Sequence, residues 1–216
     1  MKTVVLASGG LDSSVLLFLL KREHVEVLPV HADYGQLAEK QEWSSLRRFC
    51  RAAKLPNPIK VNATGLRRVP SGLTRKGDRW ARDPFFPARN MVLVSIGGAI
   101  GHSAGARAVA LGLVANALYP DQTKEFVRRA QDSLSEGLGG KMLVIAPLLT
   151  LSKSEVVALG LRMGAPIGLT YSCQRGEHRP CNRCSSCADR ARAVSEAAPL
   201  RGRSSRVRPP TRRMKA

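Results

Sequence analysis

Leu6-Ala7-Ser8-Gly9-Gly10-Leu11-Asp12-Ser13-Ser14 follows directly on the β-branched run Thr3-Val4-Val5 and opens into an apolar helical pattern. A strand, a two-glycine turn and a helix are therefore compressed into a few residues. Gly9 and Gly10 let the chain turn sharply and let a ligand approach the main chain with no Cβ in the way. The start of the following helix offers unpaired N–H groups and the positive end of the helix dipole. Ser8 and Ser13 add hydroxyls, and the whole reads as a cradle for phosphate. Neither the Gly-x-x-x-x-Gly-Lys-Ser/Thr loop nor the dinucleotide Gly-x-Gly-x-x-Gly pattern is present. Taken bare, Ser-Gly-Gly would say only that a strand turns into a capped helix.

Downstream, strand and helix patterns alternate. Strands are predicted over 3–7, 25–31, 58–62, 106–112 and 142–146, and helices over 11–22, 37–54, 89–103, 123–136 and 152–162. The last helix opens on Ser152 with Glu155 three residues on, a capping box. Residues 63–87 show little periodicity. Five strands separated by helices predict a doubly wound parallel α/β sheet, with ligands outside the carboxyl ends of the strands. Residues 1–162 read as this domain, 163–198 as a small cysteine-bearing appendage closing on a short helix from Cys187, and 199–216 as a basic tail too poor in apolar residues to pack, hence disordered.

With 216 residues, 44% of them hydrophobic, the chain can bury one sizeable core, and no apolar run approaches a membrane span. Met1-Lys2-Thr3 enters the first strand without a signal-peptide pattern, so a soluble, cytoplasmic protein is expected. The net charge is +19, and seven of the basic residues lie between 201 and 216 with no acid among them. Such a surface favours polyanions and anionic small substrates, and it is equally what a simply Arg-rich exterior gives. No interleaving of aromatic and basic residues marks a base-stacking groove. Nucleic acid is compatible with the charge without being required by it.

Four of the five cysteines crowd into Cys173-Gln-Arg-Gly-Glu-His-Arg-Pro-Cys181-Asn-Arg-Cys184-Ser-Ser-Cys187, while Cys50 stands alone in a helical pattern as a buried thiol. In a chain read as intracellular, cysteines at this density suit a metal better than disulfides. Four thiolates fit tetrahedral zinc in a closed, structural site. An iron–sulfur cluster or redox thiols remain alternatives, although the trailing Cys-Pro of the ferredoxin run is missing.

Ser-Gly-Gly-x-Asp-Ser after a first strand resembles the pyrophosphate loop of the PP-loop ATPases, which have the adenine nucleotide α-hydrolase-like fold. Together with the cysteines it resembles, more narrowly, the 7-cyano-7-deazaguanine synthases of queuosine biosynthesis, the QueC family. The likeness spans about residues 2–193. It rests on Ser8–Ser13, Asp33-Tyr34-Gly35-Gln36, Ser71-Gly72-Leu73-Thr74, Phe86-Pro87-Ala88-Arg89-Asn90, Tyr119-Pro120-Asp121, Pro147-Leu148, Leu151-Ser152-Lys153-Ser154-Glu155 and Leu169-Thr170-Tyr171-Ser172-Cys173.

That resemblance implies an ATP-dependent ligase turning 7-carboxy-7-deazaguanine and ammonia into the nitrile, with release of AMP and pyrophosphate. It implies an ATP site along Leu6, Ala7, Ser8, Gly9, Gly10, Leu11, Asp12, Ser13, Ser14, Val15 and Leu16, with magnesium near Asp12. Catalytic roles are expected for Asp12, Ser13, Arg89 and Lys153. Substrate contacts are expected from Asp33, Tyr34, Gln36, Arg89, Asn90 and Asp121, and structural zinc on Cys173, Cys181, Cys184 and Cys187. A second copy of the chain, forming a homodimer, is the expected protein partner. Read as residues alone, Asp33 and Tyr34 also fit a plain turn, and Asp121 and Lys153 fit surface or capping positions. Three features depart from the family pattern. Asn182 stands where the cysteine run usually has Gly, and Asn tolerates a left-handed backbone. The segment 114–118 is short, and Gln122-Thr123 replace the usual Cys and Arg. The last two bear on the base pocket, so a relative that adenylates another carboxylate or acts on tRNA is the competing reading, and a phosphate loop kept for binding alone is the non-enzymatic one.

Overall fold

The computed structural model describes residues 1–76, 83–115 and 118–198. The tail expected to be disordered, the middle of the aperiodic segment and residues 116–117 lie outside the described residues. Strands β1 (Lys2–Leu6), β2 (Glu26–Asp33), β3 (Ile59–Asn62), β4 (Ala108–Leu111) and β5 (Leu143–Ile145) form one sheet in the order β3-β2-β1-β4-β5. Every neighbouring pair is parallel, with Val4 opposite Leu28 on one side and Val109 on the other. The expected doubly wound α/β architecture is the one observed.

Helices α1 (Leu11–Arg22), α2 (Glu39–Ala52), α3 (Arg89–Ser103), α4 (Lys124–Gly137), α5 (Lys153–Met163) and α6 (Ser185–Ala197) cover the two faces. The two-residue alternation of β1 divides its side chains between them. Val5 and Ala7 pack with α1, α5 and Ala193 and Ala197 of α6, whereas Val4 and Leu6 pack with Val94 of α3 and Ala130 and Leu134 of α4. With both faces covered, β4 is wholly apolar and β1 is apolar from Val4 onward. α3 lies close on the sheet because Gly97 turns toward it. A Cβ there would come within 3.0 Å of Leu6 Cδ2 and 3.1 Å of Val109 Cγ1.

α1 and α3 have the expected ends, and the other element ends moved by at most two residues, for local reasons. β4 starts at Ala108 because Ala106 N–H is taken by Gly101 O at 2.7 Å, closing the end of α3. It stops before Gly112, where a Cβ would meet Ser13 N at 2.9 Å. α6 begins at Ser185 because Cys184 is its extended N-cap residue, which places Cys187 in its first turn. The capping box at Ser152 and Glu155 is formed in both directions. Among the described residues no helix is long and apolar enough to cross a membrane.

The strand order places the chain reversal between β1 and β4, which leave the sheet toward opposite sides. A crevice must open beyond their carboxyl ends. The quoted loop follows β1 and Gly112 follows β4, so both face it.

Candidate active site

A cleft of about 670 Å³ occupies this crevice. Its floor is the loop from Leu6 to Ser13 and the strand ends at His31 and Gly112, and the first turns of α3, α5 and α6 reach its walls. Several helix N-termini therefore converge on one space, a direct consequence of parallel strands each followed by a helix.

Inside the loop, Ser8 Oγ accepts from Gly10 N at 3.2 Å, and Ser13 Oγ lies 3.4 Å from both Ser8 Oγ and Gly10 O. These contacts leave the N–H groups of Leu11, Asp12 and Ser13 without an acceptor among the described residues, as the opening of a helix requires. The two glycines turn out to do different work. Gly9 is left-handed (φ 78°), and a Cβ on it would lie 2.4 Å from Glu42 O and 2.9 Å from Leu46 N. It is not among the residues facing the cleft; it lets the loop press against α2. Gly10 has an extended backbone any residue adopts, faces the cleft, and has only Ser8 Oγ and Tyr171 O near its missing Cβ. Close approach to a ligand is thus a matter for Gly10 alone.

Asp12 and Lys153 meet across the cleft at 3.6 Å, from the first turns of α1 and α5. Burial raises the Asp12 carboxyl above its ordinary value, against the pull of Lys153 and Arg190, and its Oδ1 is buried without a hydrogen-bond partner. An unpartnered buried carboxylate oxygen beside a phosphate cradle is a donor suited to a hard divalent cation. His31 gives Nδ1 to Ala7 O at 3.0 Å, and burial lowers its pKa, keeping the ring neutral. Arg89 opens α3 directly after Ala88, a non-glycine residue held left-handed at φ 53°. Arg89 lies close enough to Tyr34 and Glu42 to influence both ionisations.

The other expected site residues separate into those facing the cleft and those serving it from behind. Tyr34, Gln36, Asn90, Ser8, Leu11 and Ser13 face it, as do Leu6 and Ala7. Ser14, Val15 and Leu16 are fully buried within α1. Asp33 turns to Lys60 at 3.3 Å and accepts from Gly35 N at 3.1 Å. Asp121 caps α3: its carboxylate accepts from Asn90 N at 3.0 Å, and its carbonyl accepts from Asn90 Nδ2 at 2.8 Å. Sequence reasoning passed over Gly112, Glu42, Ser45 and Arg190. Only Gly112, a glycine ending a central strand at the reversal point, carried a signal that could have found it.

Cys173, Cys181, Cys184 and Cys187 bring their sulfurs within 4.8 Å of one another, and all are free thiols. Four Zn–S bonds of about 2.3 Å in a tetrahedron put sulfurs just under about 4 Å apart, and Cys181 and Cys187 lie 4.0 Å apart. Ligands of a cubane cluster sit on four separate irons and stand further apart. The geometry therefore suits one tetrahedral ion. Cys184 N donates to Cys181 Sγ at 3.4 Å, and Asn182, in the place of the usual Gly, is left-handed at φ 55°. Cys50 is buried in the core, which raises its thiol to about 11.

This cysteine segment is built into the phosphate loop. Tyr171 N donates to Gly9 O at 2.9 Å, and Ser45 Oγ bridges Gly9 O and Leu169 O. Arg190 on α6 donates to Thr170 Oγ1, Ser172 Oγ and Ile167 O, with its charge felt at Asp12.

The model of one family, described as queuosine biosynthesis protein QueC, matches residues 2–198. The chain belongs to the QueC family. Among relatives, 7-cyano-7-deazaguanine synthase of Campylobacter curvus is 30% identical over 91% of this chain and 94% of its own. The enzyme of the same name from Campylobacter jejuni subsp. doylei is 28% identical over 91% and 94%. Two solved structures share the fold. A 4-thiouridine synthetase in complex with RNA and ATP has TM-score 0.54 and 19% identity, covering 92% of this chain and 51% of that one. A predicted subunit of tRNA methyltransferase from Methanocaldococcus jannaschii has TM-score 0.50 and 14% identity, covering 83% and 94%.

Two outcomes follow from this packing. Gly9→Ala should lose at least about 2 kcal/mol in urea unfolding, through strain and collision, whereas Gly10→Ala should unfold like the parent and bind ATP more weakly. Stripping the metal with a chelator, or Cys184→Ser, should lower the melting temperature by about 10 °C and weaken ATP binding with it, as read by calorimetry.

Proposed function

We propose that the chain is a cytoplasmic enzyme that converts 7-carboxy-7-deazaguanine and ammonia to 7-cyano-7-deazaguanine, using ATP and releasing AMP and pyrophosphate. The observation that carries this reading is the convergence of the phosphate loop, Lys153 and Arg89 on one cleft in a QueC-family chain. In the first round the substrate carboxylate attacks the α-phosphorus of ATP, pyrophosphate leaves, and ammonia displaces AMP from the acyl adenylate to give the amide. In the second the amide oxygen attacks a further α-phosphorus, and loss of AMP with the remaining N–H protons leaves the carbon–nitrogen triple bond. Each carboxylate oxygen departs on an AMP.

The protein's share is positioning and charge stabilisation. The N–H groups of Leu11, Asp12 and Ser13 hold the departing pyrophosphate, Lys153 neutralises charge developing on it, and Arg89 orients the substrate carboxylate. Asn90 and Asp121 fix the start of α3 and so the aim of Arg89. Asp12 would hold magnesium, which offsets phosphate charge when bound. Cys173, Cys181, Cys184 and Cys187 would hold zinc, which supplies no chemistry but braces the loop through Tyr171.

Incubation with 7-carboxy-7-deazaguanine, ATP and ammonium, followed by mass spectrometry, should show the amide and then the nitrile. Asp12→Ala and Ser13→Ala should each cut AMP release by about a hundredfold or more with an unchanged melting curve. ATP consumption without the nitrile would assign the chain to another carboxylate.

A further inference from the structure

Of the acidic residues facing the cleft, Asp12 is engaged with Lys153, Asp189 pairs with Arg192, and Glu196 is exposed on α6. Glu42, on α2, belongs to none of these groups and has no part in the phosphate chemistry above. Its Oε2 accepts from Gln36 Nε2 at 3.0 Å. Its Oε1 has no hydrogen-bond partner among the described residues, and it is not one of the sealed, partnerless buried oxygens, so it opens on the cleft.

Gln36 cannot turn away. Its Oε1 accepts from Tyr34 N at 2.9 Å and its Nε2 also donates to Ala32 O at 3.2 Å, so the amide is locked with one proton directed at Glu42. The backbone of Glu42 is equally fixed, because its carbonyl lies against Gly9. A carboxylate is thus held in one orientation at a set distance from the phosphate loop. Aromatic rings line the same cleft: Tyr34, near enough to feel the Glu42 charge, packs edge to face with Phe86 at 5.4 Å, and Tyr119, 5.2 Å from Phe85, lies near Arg89. Arg89 supplies positive charge on the same side.

We propose that Glu42 is the specificity residue of the proposed reaction, accepting hydrogen bonds from the ring N1–H and the 2-amino group of the deazaguanine between the walls set by Tyr34 and Tyr119. The inference rests on the function proposed above and deepens it. A planar 2-amino-6-oxo heterocycle presents two adjacent donors on this edge with its carbonyl oxygen beside them. A carboxylate accepts from both donors, and the neighbouring cation of Arg89 suits the carbonyl and the 7-carboxylate. Burial raises the Glu42 carboxyl to about 7, with Gln36 and Arg89 only partly opposing it and Glu39 and Asp33 adding to it. Burial makes the charged carboxylate costly here unless donors reach it, and the substrate edge supplies two.

The test compares 7-carboxy-7-deazaguanine with 7-carboxy-7-deazahypoxanthine, which lacks the 2-amino group. The parent enzyme should prefer the former by about 10- to 100-fold in kcat/KM. Glu42→Gln should raise KM for the deazaguanine about tenfold or more, bring the preference close to one, and leave KM for ATP unchanged. Should Glu42→Gln fail to fold by thermal melting, Glu42→Asp in the same comparison decides, since a reduced preference supports the assignment and an undiminished one overturns it. A parent that turns over the deazaguanine while Glu42→Gln keeps its preference, or raises KM for ATP alone, overturns the role of Glu42 and leaves the reaction standing. A parent that neither binds nor converts 7-carboxy-7-deazaguanine defeats the reaction itself, and this assignment with it.

Discussion

The carbonyl of Gly9 accepts from Tyr171 N–H and from the Ser45 hydroxyl, and this shared oxygen joins three parts of the molecule. It fixes the phosphate loop to α2 on one side and to the cysteine segment on the other. Gly9 reaches this position only in a left-handed conformation and only without a Cβ. The cysteine segment thereby joins the proposed nucleotide site, since Tyr171, Ser172 and Cys173 line the same cleft, and a metal held by the four cysteines would set the path of 169–187 and through it the loop. The Arg190 bonds to Thr170, Ser172 and Ile167 reinforce the same tie from α6.

The cleft is lined by charges of both signs. At the loop end the helix dipoles, Lys153 and unpaired N–H groups favour phosphate, with Asp12 kept among them by burial and pairing. Glu42, whose own carbonyl lies against Gly9, reaches the cleft beside the loop with Tyr34 and Arg89 near it, and there hydrogen-bond complementarity decides more than net charge. Under the proposed function this cleft would grip a triphosphate and a neutral heterocycle at once and bring a carboxylate on one to the α-phosphorus of the other. The +19 net charge adds a general attraction for anions and accounts for none of this selectivity.

The fold was legible because its determinants are local. Apolar runs of strand length separated by amphipathic stretches dictate a parallel sheet, and the capping box at Ser152 marks where α5 starts. Four cysteines in fifteen residues point to a metal before any coordinate is known. Asn182 in the left-handed region matches what its residue type permits. What stayed hidden depends on contacts between segments far apart in the chain. Ser45 and Arg190 look like ordinary helical polar residues until α2 and α6 are placed against 167–172. Glu42 gave no motif, since its interest lies in its desolvation and in Gln36, six residues away. The sequence could not separate the two glycines either, as only the position of α2 shows that Gly9 answers to packing and Gly10 to the cleft.

The central claim is that the opening of α1 holds the β- and γ-phosphates while the α-phosphorus is transferred. A crystal structure of the metal-loaded protein with an ATP analogue that resists cleavage between the α- and β-phosphates tests it most directly. The account predicts phosphate oxygens within hydrogen-bond distance of the N–H groups of Leu11, Asp12 and Ser13, with the α-phosphate facing Arg89. A fully bound triphosphate lying elsewhere, with this turn vacant, would contradict it.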